Sequence, residues 1–248
     1  MKILCYDLET QPTLGYVWSA WQQNMLPGQI KEHGKVITWA AKWVGEKQVY
    51  FGADWEPDVN GMGFIERLHE LLMEADVILT YNGDKFDVRV LNTAILLAGL
   101  PPLPAHRSVD MFKVVKRRFA LFHARMDSVA SLLGLEGKTD TGGMQLWIDV
   151  MKGDKKAQKK MEKYNRQDIK VLEDIYEKLK GWIVNHPTGD DIADGKCPNC
   201  GSDSLQKRGF HRTKVSKFQR YQCNGCGSWH RSRTNLLTKH TKPDIVTL

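Results

Sequence analysis

The sequence predicts a mixed α/β domain followed by a small cysteine-rich module. The segment Lys2–Leu8 carries apolar residues on both faces, which is typical of a central strand buried on both sides. Stretches with strand-like and helix-like periodicity alternate after it as far as residue 185. Two Cys-x-x-Cys pairs then lie near the C-terminus, at a spacing typical of a metal-binding module. These observations together predict a mixed sheet flanked by helices, with a separate C-terminal appendage.

The predicted elements follow one another in the order β-β-β-α-β-α-β-α, with a further short helix and a long last helix. The second and third strands are separated by Gly45-Glu46, which predicts a hairpin turn. The order indicates a sheet that opens with an antiparallel meander and continues with crossover helices. The predicted strands are Lys2–Leu8, Val36–Trp43, Lys47–Phe51, Val77–Thr80 and Arg107–Val109, and the predicted helices are Phe64–Met73, Phe86–Leu97, one from Asp110, Ser128–Leu133 and Lys155–Trp182.

The charge is distributed unevenly along the 248 residues, whose net charge is +7. Residues 196–248 contain 11 Lys and Arg against 2 acidic residues, whereas residues 1–195 contain 25 against 27. Because the composition shifts at His186-Pro187, we predict a domain over residues 1–185, a linker over 186–195 and a basic domain with a tail over 196–248. A near-neutral body with a strongly basic end indicates an anionic partner, and nucleic acid is the leading candidate.

The bulk composition is that of a folded protein without a membrane anchor. Hydrophobic residues make up 42% and charged residues 26%, which excludes wholesale disorder. No apolar run approaches the roughly 20 residues that span a bilayer, and an acidic residue interrupts the N-terminus before a signal peptide could be completed. We therefore expect no membrane partner and a cytoplasmic location, with a buried free thiol at Cys5. Four tryptophans are predicted to lie in the core: Trp18, Trp21, Trp39 and Trp43.

Acidic residues stand on three separate elements where the pattern calls for apolar ones. Asp7 and Glu9 lie two apart at the end of the first strand, so both side chains leave the same face. Asp168 occupies the core-facing stripe of the last helix, four residues after Tyr164 on the same side. Asp87 stands at the start of the helix that follows the fourth predicted strand. Taken alone, each has an ordinary explanation as a strand-end acid, a helix N-terminal acid or a surface acid beside a core tyrosine.

The joint occurrence of these acids indicates a site for divalent cations. Four carboxylates buried together would repel one another and resist ionisation, unless cations compensate their charge. Hard oxygen ligands select Mg²⁺ or Mn²⁺, and two such ions can stabilise both the attacking and the leaving oxygen of a phosphodiester displacement. The sequence therefore predicts a hydrolytic centre with two Mg²⁺ or Mn²⁺ ions.

Three motifs carry a resemblance to a known superfamily. They are Asp7-Leu8-Glu9-Thr10, Tyr81-Asn82-Gly83-x-x-Phe86-Asp87 and Tyr164-Asn165-x-x-Asp168. In this order they resemble the exonuclease motifs of the DEDD superfamily, which has a ribonuclease H-like fold, and the tyrosine resembles that of its tyrosine-bearing branch. More closely, the chain resembles the YprB-like exonucleases often seen in phages, through Tyr16-Val17-Trp18, Trp39-Ala40-Ala41-Lys42-Trp43-x-Gly45, Leu146-Trp147 and the cysteine module. The resemblance covers nearly the whole chain and favours a bacterial or phage-infected host cell.

The resemblance implies a role for each matched residue. Asp7, Glu9 and Asp168 would hold the catalytic metal with the scissile phosphate, and Asp7 would bridge to a second ion whose shell Asp87 completes. Tyr164 would orient the attacking water. The family removes nucleoside monophosphates from 3′ ends, and the residues implied in binding the terminal nucleotide are Leu8, Thr10, Asn82 and Phe86.

Four cysteines predict a structural zinc ribbon. Cys197-x-x-Cys200 and Cys223-x-x-Cys226 supply four thiolates suited to one tetrahedral Zn²⁺. Basic and aromatic residues between and after the pairs favour nucleic-acid binding, although a solvated surface around a small aromatic core explains them too. Those residues are Arg208, His211, Arg212, Lys214, Lys217, Phe218, Arg220, Tyr221, Trp229, His230, Arg231 and Arg233.

The leading hypothesis is a metal-dependent 3′–5′ exonuclease acting on single-stranded ends, with DNA favoured over RNA. One alternative is a nucleic-acid-binding protein in which the ribonuclease H-like domain is a non-catalytic scaffold. Another alternative is an endonuclease on the same fold, since fold alone does not choose between these activities. The sequence identifies no protein partner.

Overall fold

The computed structural model describes residues 1–19, 21, 24–137, 142–184, 186–187, 195–238 and 241. Residues 2–176 form one compact unit, and residues 177–248 together with Met1 form another. The strands are β1 (Ile3–Thr10), β2 (Leu14–Gly15), β3 (Ile30–Glu32), β4 (Val36–Trp43), β5 (Tyr50–Ala53), β6 (Val77–Thr80), β7 (Arg107–Asp110), β8 (Leu205–Arg212), β9 (Lys217–Cys223) and β10 (Trp229–Arg231). The α-helices are α1 (Phe64–Met73), α2 (Asp87–Leu97), α3 (Met111–Arg118), α4 (Met126–Leu132), α5 (Met144–Met151) and α6 (Lys155–Leu179).

A five-stranded mixed sheet forms the centre of the N-terminal unit. Its strand order is β5-β4-β1-β6-β7, with β1 in the middle. β1 pairs with β4 antiparallel and with β6 parallel, and β6 in turn pairs with β7 parallel. The sheet therefore opens with the predicted antiparallel meander and continues with parallel strands joined through helices, which confirms the predicted mixed α/β fold.

The main core lies on one face of the sheet. Alternate residues of β1, such as Leu4, Tyr6 and Leu8, pack there with Trp39 of β4 and with residues of α1 and α2. Trp39 is almost completely buried, and its indole N–H donates to the carbonyl of Phe64 at 2.6 Å. A buried indole N–H requires such an acceptor, and this bond fixes the start of α1 against the sheet.

Helix α6 crosses the opposite face of the sheet. Thr38 and Lys42 of β4 both contact it, since the Thr38 hydroxyl donates to Asn165 and the Lys42 ammonium forms an ion pair with Glu173. Thr38 and Lys42 are four residues apart along an extended strand, which is a distance of roughly 14 Å. Their partners are eight residues apart along a helix, which is a distance of roughly 12 Å. α6 therefore runs parallel to β4. It covers Asp7 of β1, which accepts a hydrogen bond from Asn165 of the helix.

A β-bulge interrupts the pairing of β1 with β4 at the end of the acidic segment. Glu9 lies opposite Thr38, but Thr10 lies opposite Val36, so that Ile37 has no residue directly across from it. The side chain of Ile37 packs with Leu146 of α5 and Met161 of α6 in a second, smaller core. Bulges of this kind bend a strand and redirect a side chain, often beside a functional site.

The segment between β1 and β4 departs from the predicted core assignment of its tryptophans. Trp39 and Trp43 are buried as predicted, but Trp18 and Trp21 are 98% and 75% exposed, so their assignment to the core is wrong. They follow β2, which pairs with β3 in a separate two-stranded sheet. The five-stranded sheet continues at β4, so this segment lies outside the main core.

The C-terminal unit contains a three-stranded antiparallel sheet in the order β10-β9-β8. The side chains of β8 from residue 206 onwards are exposed. Residues 188–194 of the predicted linker lie outside the described residues, as do residues 239–240 and 242–248 of the predicted tail. No described helix combines the length and the hydrophobicity that a membrane span requires.

Candidate active site

Three acids predicted from sequence converge on one point of the N-terminal unit. One carboxylate oxygen each of Asp7, Glu9 and Asp168 lies within 4.8 Å of the others. Asp168 is 2% exposed, and the other two acids are half-buried. Three carboxylates this close repel one another when ionised, and the repulsion falls if a cation lies between them. An all-oxygen donor set of this kind fits a divalent cation such as Mg²⁺ or Mn²⁺.

The strand and the helix position these acids by their own periodicities. Asp7 and Glu9 are two apart in β1, so both point to the face that α6 covers. Ala40 lies directly opposite Asp7 in β4, and its small side chain leaves room for the carboxylates beside it. Asp168 lies on α6, where residues three and four positions earlier share its face. The site therefore depends on the docking of one helix on one strand.

Tyr164 lies one helical turn before Asp168 and completes this group. Its hydroxyl is hydrogen-bonded to Asp168, and its ring lies edge-on to Trp147 with centroids 6.1 Å apart. Burial raises the pKa of Tyr164 above its usual range, and the charges of Asp168 and Glu9 raise it further. Without a metal the hydroxyl therefore remains protonated at physiological pH, and in this form it can orient a neighbouring oxygen.

Asn165 is a residue of the site to which sequence analysis gave no role. Its side chain is completely buried, and its Nδ2 donates to Asp7 Oδ2 at 2.8 Å. Its Oδ1 accepts from the hydroxyl of Thr38 at 3.2 Å. The amide thus links α6 to β1 and β4, and it holds one oxygen of Asp7 in a fixed position. Its place three residues before Asp168 was the available signal, because that spacing puts both on one face.

Asp87 contacts the same strand through the backbone of Leu8. The parallel pairing of β1 with β6 ends at Cys5, so the N–H of Leu8 has no strand partner on that side. The Asp87 carboxylate accepts this N–H. Burial raises the pKa of Asp87 to about 6, and the nearby charge of Asp110 also raises it, against the hydrogen bonds from backbone N–H groups. Asp87 therefore lies against the residue between Asp7 and Glu9, although it is outside the group of three.

A second residue missed by the sequence analysis, Asp110, supports the loop before Asp87. It caps α3, where its Oδ1 accepts from the N–H of Phe112 at 3.0 Å, and the same oxygen accepts from the N–H of Asn82 at 2.8 Å. Asn82 has a positive φ of 66°, a strained conformation for a residue other than glycine. Burial raises the pKa of Asp110. Its predicted place at a helix start indicated the cap, but the sequence gave no sign of the contact with Asn82.

The residues expected to contact a substrate occupy different environments. The side chain of Leu8 is buried in the main core, with 5% exposure, and its N–H is taken by Asp87. Thr10 and Asn82 are half-buried, and Phe86 is 49% exposed immediately before α2. Phe86 is thus the apolar member of this set that remains open to a ligand.

The four C-terminal cysteines also converge, within the second unit. One sulfur each of Cys197, Cys200, Cys223 and Cys226 lies within 4.8 Å of the others, and two of the sulfur pairs are 3.7 Å apart. Four sulfurs about 2.3 Å from a tetrahedral Zn²⁺ would be about 3.8 Å apart, so this donor set fits zinc.

The two cysteine pairs are held by the same backbone bonds. In the first pair, the N–H of Cys197 donates to Ser202 and the N–H of Gly201 donates to Cys197. In the second pair, the N–H of Cys223 donates to Ser228 and the N–H of Gly227 donates to Cys223. Both glycines have a positive φ, 74° and 76°, which a residue with a side chain adopts only with strain. The repeated turn explains why glycine follows each pair.

The fold and the acidic group together define the class to which the molecule belongs. A mixed sheet with a central acidic strand, covered by an acid-bearing helix, has the ribonuclease H-like architecture, and this architecture supports nuclease activity with nucleic acid as the substrate. The RNase_H_2 family, described as RNase_H superfamily, matches residues 28–180, more than half of the chain. The chain therefore belongs to this family. No curated protein matches it.

Solved structures agree with this fold. One similar structure is that of the family B DNA polymerase from the hyperthermophilic archaeon Pyrobaculum calidifontis, with 18% sequence identity and a TM-score of 0.53. The match covers 72% of this chain and 24% of the polymerase chain, so the chain corresponds to about a quarter of that enzyme. At this identity the likeness concerns the fold.

Proposed function

We propose that the chain is a metal-dependent 3′–5′ exonuclease that hydrolyses phosphodiester bonds of single-stranded nucleic acid, with DNA favoured over RNA. The observation that carries the proposal is the convergence of Asp7, Glu9 and Asp168 on one point, with the hydroxyl of Tyr164 bonded to Asp168. A scaffold without catalysis has no need for three carboxylates within 4.8 Å, since their repulsion destabilises the folded state.

Each residue of the site has a role in this proposal. Asp7, Glu9 and Asp168 would hold a divalent cation, and Asp7 together with Asp87 would hold a second. When bound, Mg²⁺ or Mn²⁺ lowers the pKa of water and neutralises charge that develops on the phosphate. Tyr164 orients the attacking water through its protonated hydroxyl.

Direction and substrate come from the resemblance of the three motifs to DEDD exonucleases. In that family the terminal nucleotide at the 3′ end is bound, and we assign its contacts here to Leu8, Thr10, Asn82 and Phe86. The exposed ring of Phe86 is suited to stack on a base. The buried side chain of Leu8 restricts that residue to contacts through its backbone.

We further propose that the four cysteines hold one structural Zn²⁺. The proposal rests on the sulfur spacing and on the paired backbone turns of the two cysteine pairs. Zinc analysis of the purified protein should find about one ion per chain. A zinc-free protein in which the C-terminal sheet remains folded would contradict the assignment, because small zinc modules draw folding energy from the metal.

The test of the proposed activity compares strands labelled at either end. With Mg²⁺ or Mn²⁺, a 5′-labelled single strand should shorten progressively, whereas a 3′-labelled strand should release its labelled mononucleotide at once. A circular single strand should remain intact, and its cleavage would indicate an endonuclease. Binding without hydrolysis under any of these conditions would indicate a non-catalytic scaffold. Parallel DNA and RNA strands test the preference for DNA.

A further inference from the structure

The cysteine group lies on one face of the C-terminal sheet and leaves the other face open. Antiparallel partners share a face, so the register places Phe218, Arg220 and Trp229 on one side with Arg231 and His211. The opposite side carries Cys223 and His230, and His230 contacts the sulfur of Cys197 at 3.3 Å. The cysteine group therefore occupies one end of that side, and the other end carries Lys217, whose ammonium lies 4.0 Å from the ring centroid of Phe210. The face formed by His211, Phe218, Arg220, Trp229 and Arg231 is called here the ladder face.

Cations and aromatic rings alternate along the ladder face. The guanidinium of Arg220 lies 4.8 Å from the ring centroid of Trp229, and that of Arg231 lies 4.1 Å from the ring of Phe218. His211 continues the row, with its ring centroid 6.3 Å from that of Phe218. Trp229 is 51% exposed, and both arginines are exposed. The attraction between a guanidinium group and an aromatic ring keeps both side chains ordered.

Two like charges face each other at the centre of this row. Arg220 and Arg231 are direct partners across β9 and β10, a placement that is unfavourable for cations. Each guanidinium donates to a backbone carbonyl, of Arg208 and Ser232 respectively. Within the described residues, neither guanidinium forms an ion pair. An anion bound between them would relieve the repulsion, and phosphate matches the planar donors of arginine.

We infer that the ladder face binds single-stranded nucleic acid. The charge of the chain selects an anionic polymer, because residues 196–248 carry 11 basic residues against 2 acidic ones. The exposed ring of Trp229 selects unpaired bases, because a duplex keeps its base faces stacked inside, where a protein ring cannot stack on them. The inference rests on the proposed function in one respect, namely that the bound strand is also the substrate of the acidic site.

Two double variants with equal loss of charge test the ladder face in the full-length chain. Arg220→Ala with Arg231→Ala removes two cations from the ladder face, whereas Lys207→Ala with Arg212→Ala removes two from the opposite side of the sheet. Binding is measured by fluorescence anisotropy with labelled single strands of about 16 nucleotides, DNA and RNA, and with the matching duplex. An Asp168→Asn background prevents hydrolysis during the measurement.

The ladder-face variant should lose at least 10-fold in affinity for the single strand. The slope of log K against log salt should become less steep by about 1.4, because each of the two lost cations contributes about 0.7 to it. The opposite-face variant should lose much less. Trp229→Ala should weaken single-strand binding by about 10-fold and leave duplex binding unchanged, and Trp229→Phe should restore most of the loss. Unchanged zinc content and circular dichroism show that the variants remain folded.

Equal losses in the two double variants, or no loss in either, would overturn the inference and leave the face to a protein partner or to solvent. Hydrolysis of a trinucleotide separates this result from the proposed function, because so short a substrate needs only the acidic site. The ladder-face variant, in a background with Asp168 intact, should hydrolyse it at the wild-type rate. Absence of this activity in the wild-type protein would refute the proposed function and leave the binding result standing.

Discussion

Removal of the Asn165 amide should damage catalysis through Asp7. In Asn165→Ala the hydrogen bond from Nδ2 to Asp7 Oδ2, 2.8 Å long, is lost. Hydrogen bonds to charged groups are worth about 1.5–3 kcal/mol, and the Thr38 hydroxyl left without its acceptor costs about 1 kcal/mol more. We therefore expect the free energy of unfolding to fall by about 3 kcal/mol in the presence of Mg²⁺.

The catalytic effect of this variant should exceed that of a purely structural lesion. Once Asp7 is no longer held, its carboxylate turns away from the position it shares with Glu9 and Asp168, and small displacements of this kind cost about 10- to 100-fold in rate. The matched control is Thr38→Val, which removes the 3.2 Å bond to Asn165 but leaves the amide on Asp7. It should cost about 1 kcal/mol in stability and much less in rate.

Urea unfolding and steady-state hydrolysis at increasing Mg²⁺ measure the two effects separately. We expect Asn165→Ala to need more Mg²⁺ for half-maximal activity and still to show a lower kcat at saturation. A variant that loses stability but keeps the wild-type kcat and Mg²⁺ requirement would refute the positioning role and leave Asn165 as a packing residue.

Three further predictions follow from the same geometry. Tyr164→Phe keeps the packing against Trp147 but removes the hydroxyl. The hydrolysis rate should therefore fall on the order of 10²-fold, while the affinity for Mn²⁺ stays unchanged. An unaltered rate would show that Tyr164 has no part in the mechanism. Gly83→Ala would place a methyl group 2.6 Å from the Thr80 side chain, so it should lower the free energy of unfolding in urea by about 1–3 kcal/mol. The control Gly28→Ala, whose added methyl group has nothing within 4 Å, should leave this free energy unchanged. Equal effects of the two variants would contradict the steric argument. The folded-state pKa of Asp87, about 6, lies above the ordinary ~3.9, so the folded state binds this proton more tightly. The contribution of Asp87 to the stability of the metal-free protein should thus fall by up to about 3 kcal/mol as pH rises from about 4 to 6. Asp87→Asn should remove this part and leave the smaller contribution of Asp110, whose pKa is also raised. An unchanged slope in the variant would assign the effect to other groups.

Much of the N-terminal fold could be predicted because its elements carry strong periodicity. The predicted bounds of β4, α1 and β6 coincide with those in the structure. β5 was predicted as Lys47–Phe51 but spans Tyr50–Ala53, because its pairing with β4, not its own composition, sets where it begins. Helix α5 was missed because six of its eight residues are apolar, so its sequence shows no alternation of an apolar and a polar face.

The candidate site was predicted unevenly for a physical reason. Asp7, Glu9 and Asp168 stand out because a charge on a core-facing position needs compensation, and this is visible in the sequence itself. The role of Asn165 depends on Asp7, which is 158 positions away in the chain, and that of Asp110 on the loop at Asn82. Contacts of this kind are set by the docking of α6 and by the parallel order of β6 and β7, which local patterns do not contain.

Metal binding and hydrolysis measured on the same variants test the central claim most directly. Mn²⁺ binding is followed by electron paramagnetic resonance, and hydrolysis of a labelled single strand is followed on a gel. The proteins compared are the wild type, Asp7→Asn, Asp168→Asn and a control, Glu136→Gln, at an exposed position. We predict that both aspartate variants lose Mn²⁺ affinity and hydrolysis together, while their thermal midpoints without metal do not fall, because the carboxylate repulsion is relieved. The control should match the wild type. Near-normal turnover in either aspartate variant would contradict the assignment of the acidic group as the catalytic metal centre.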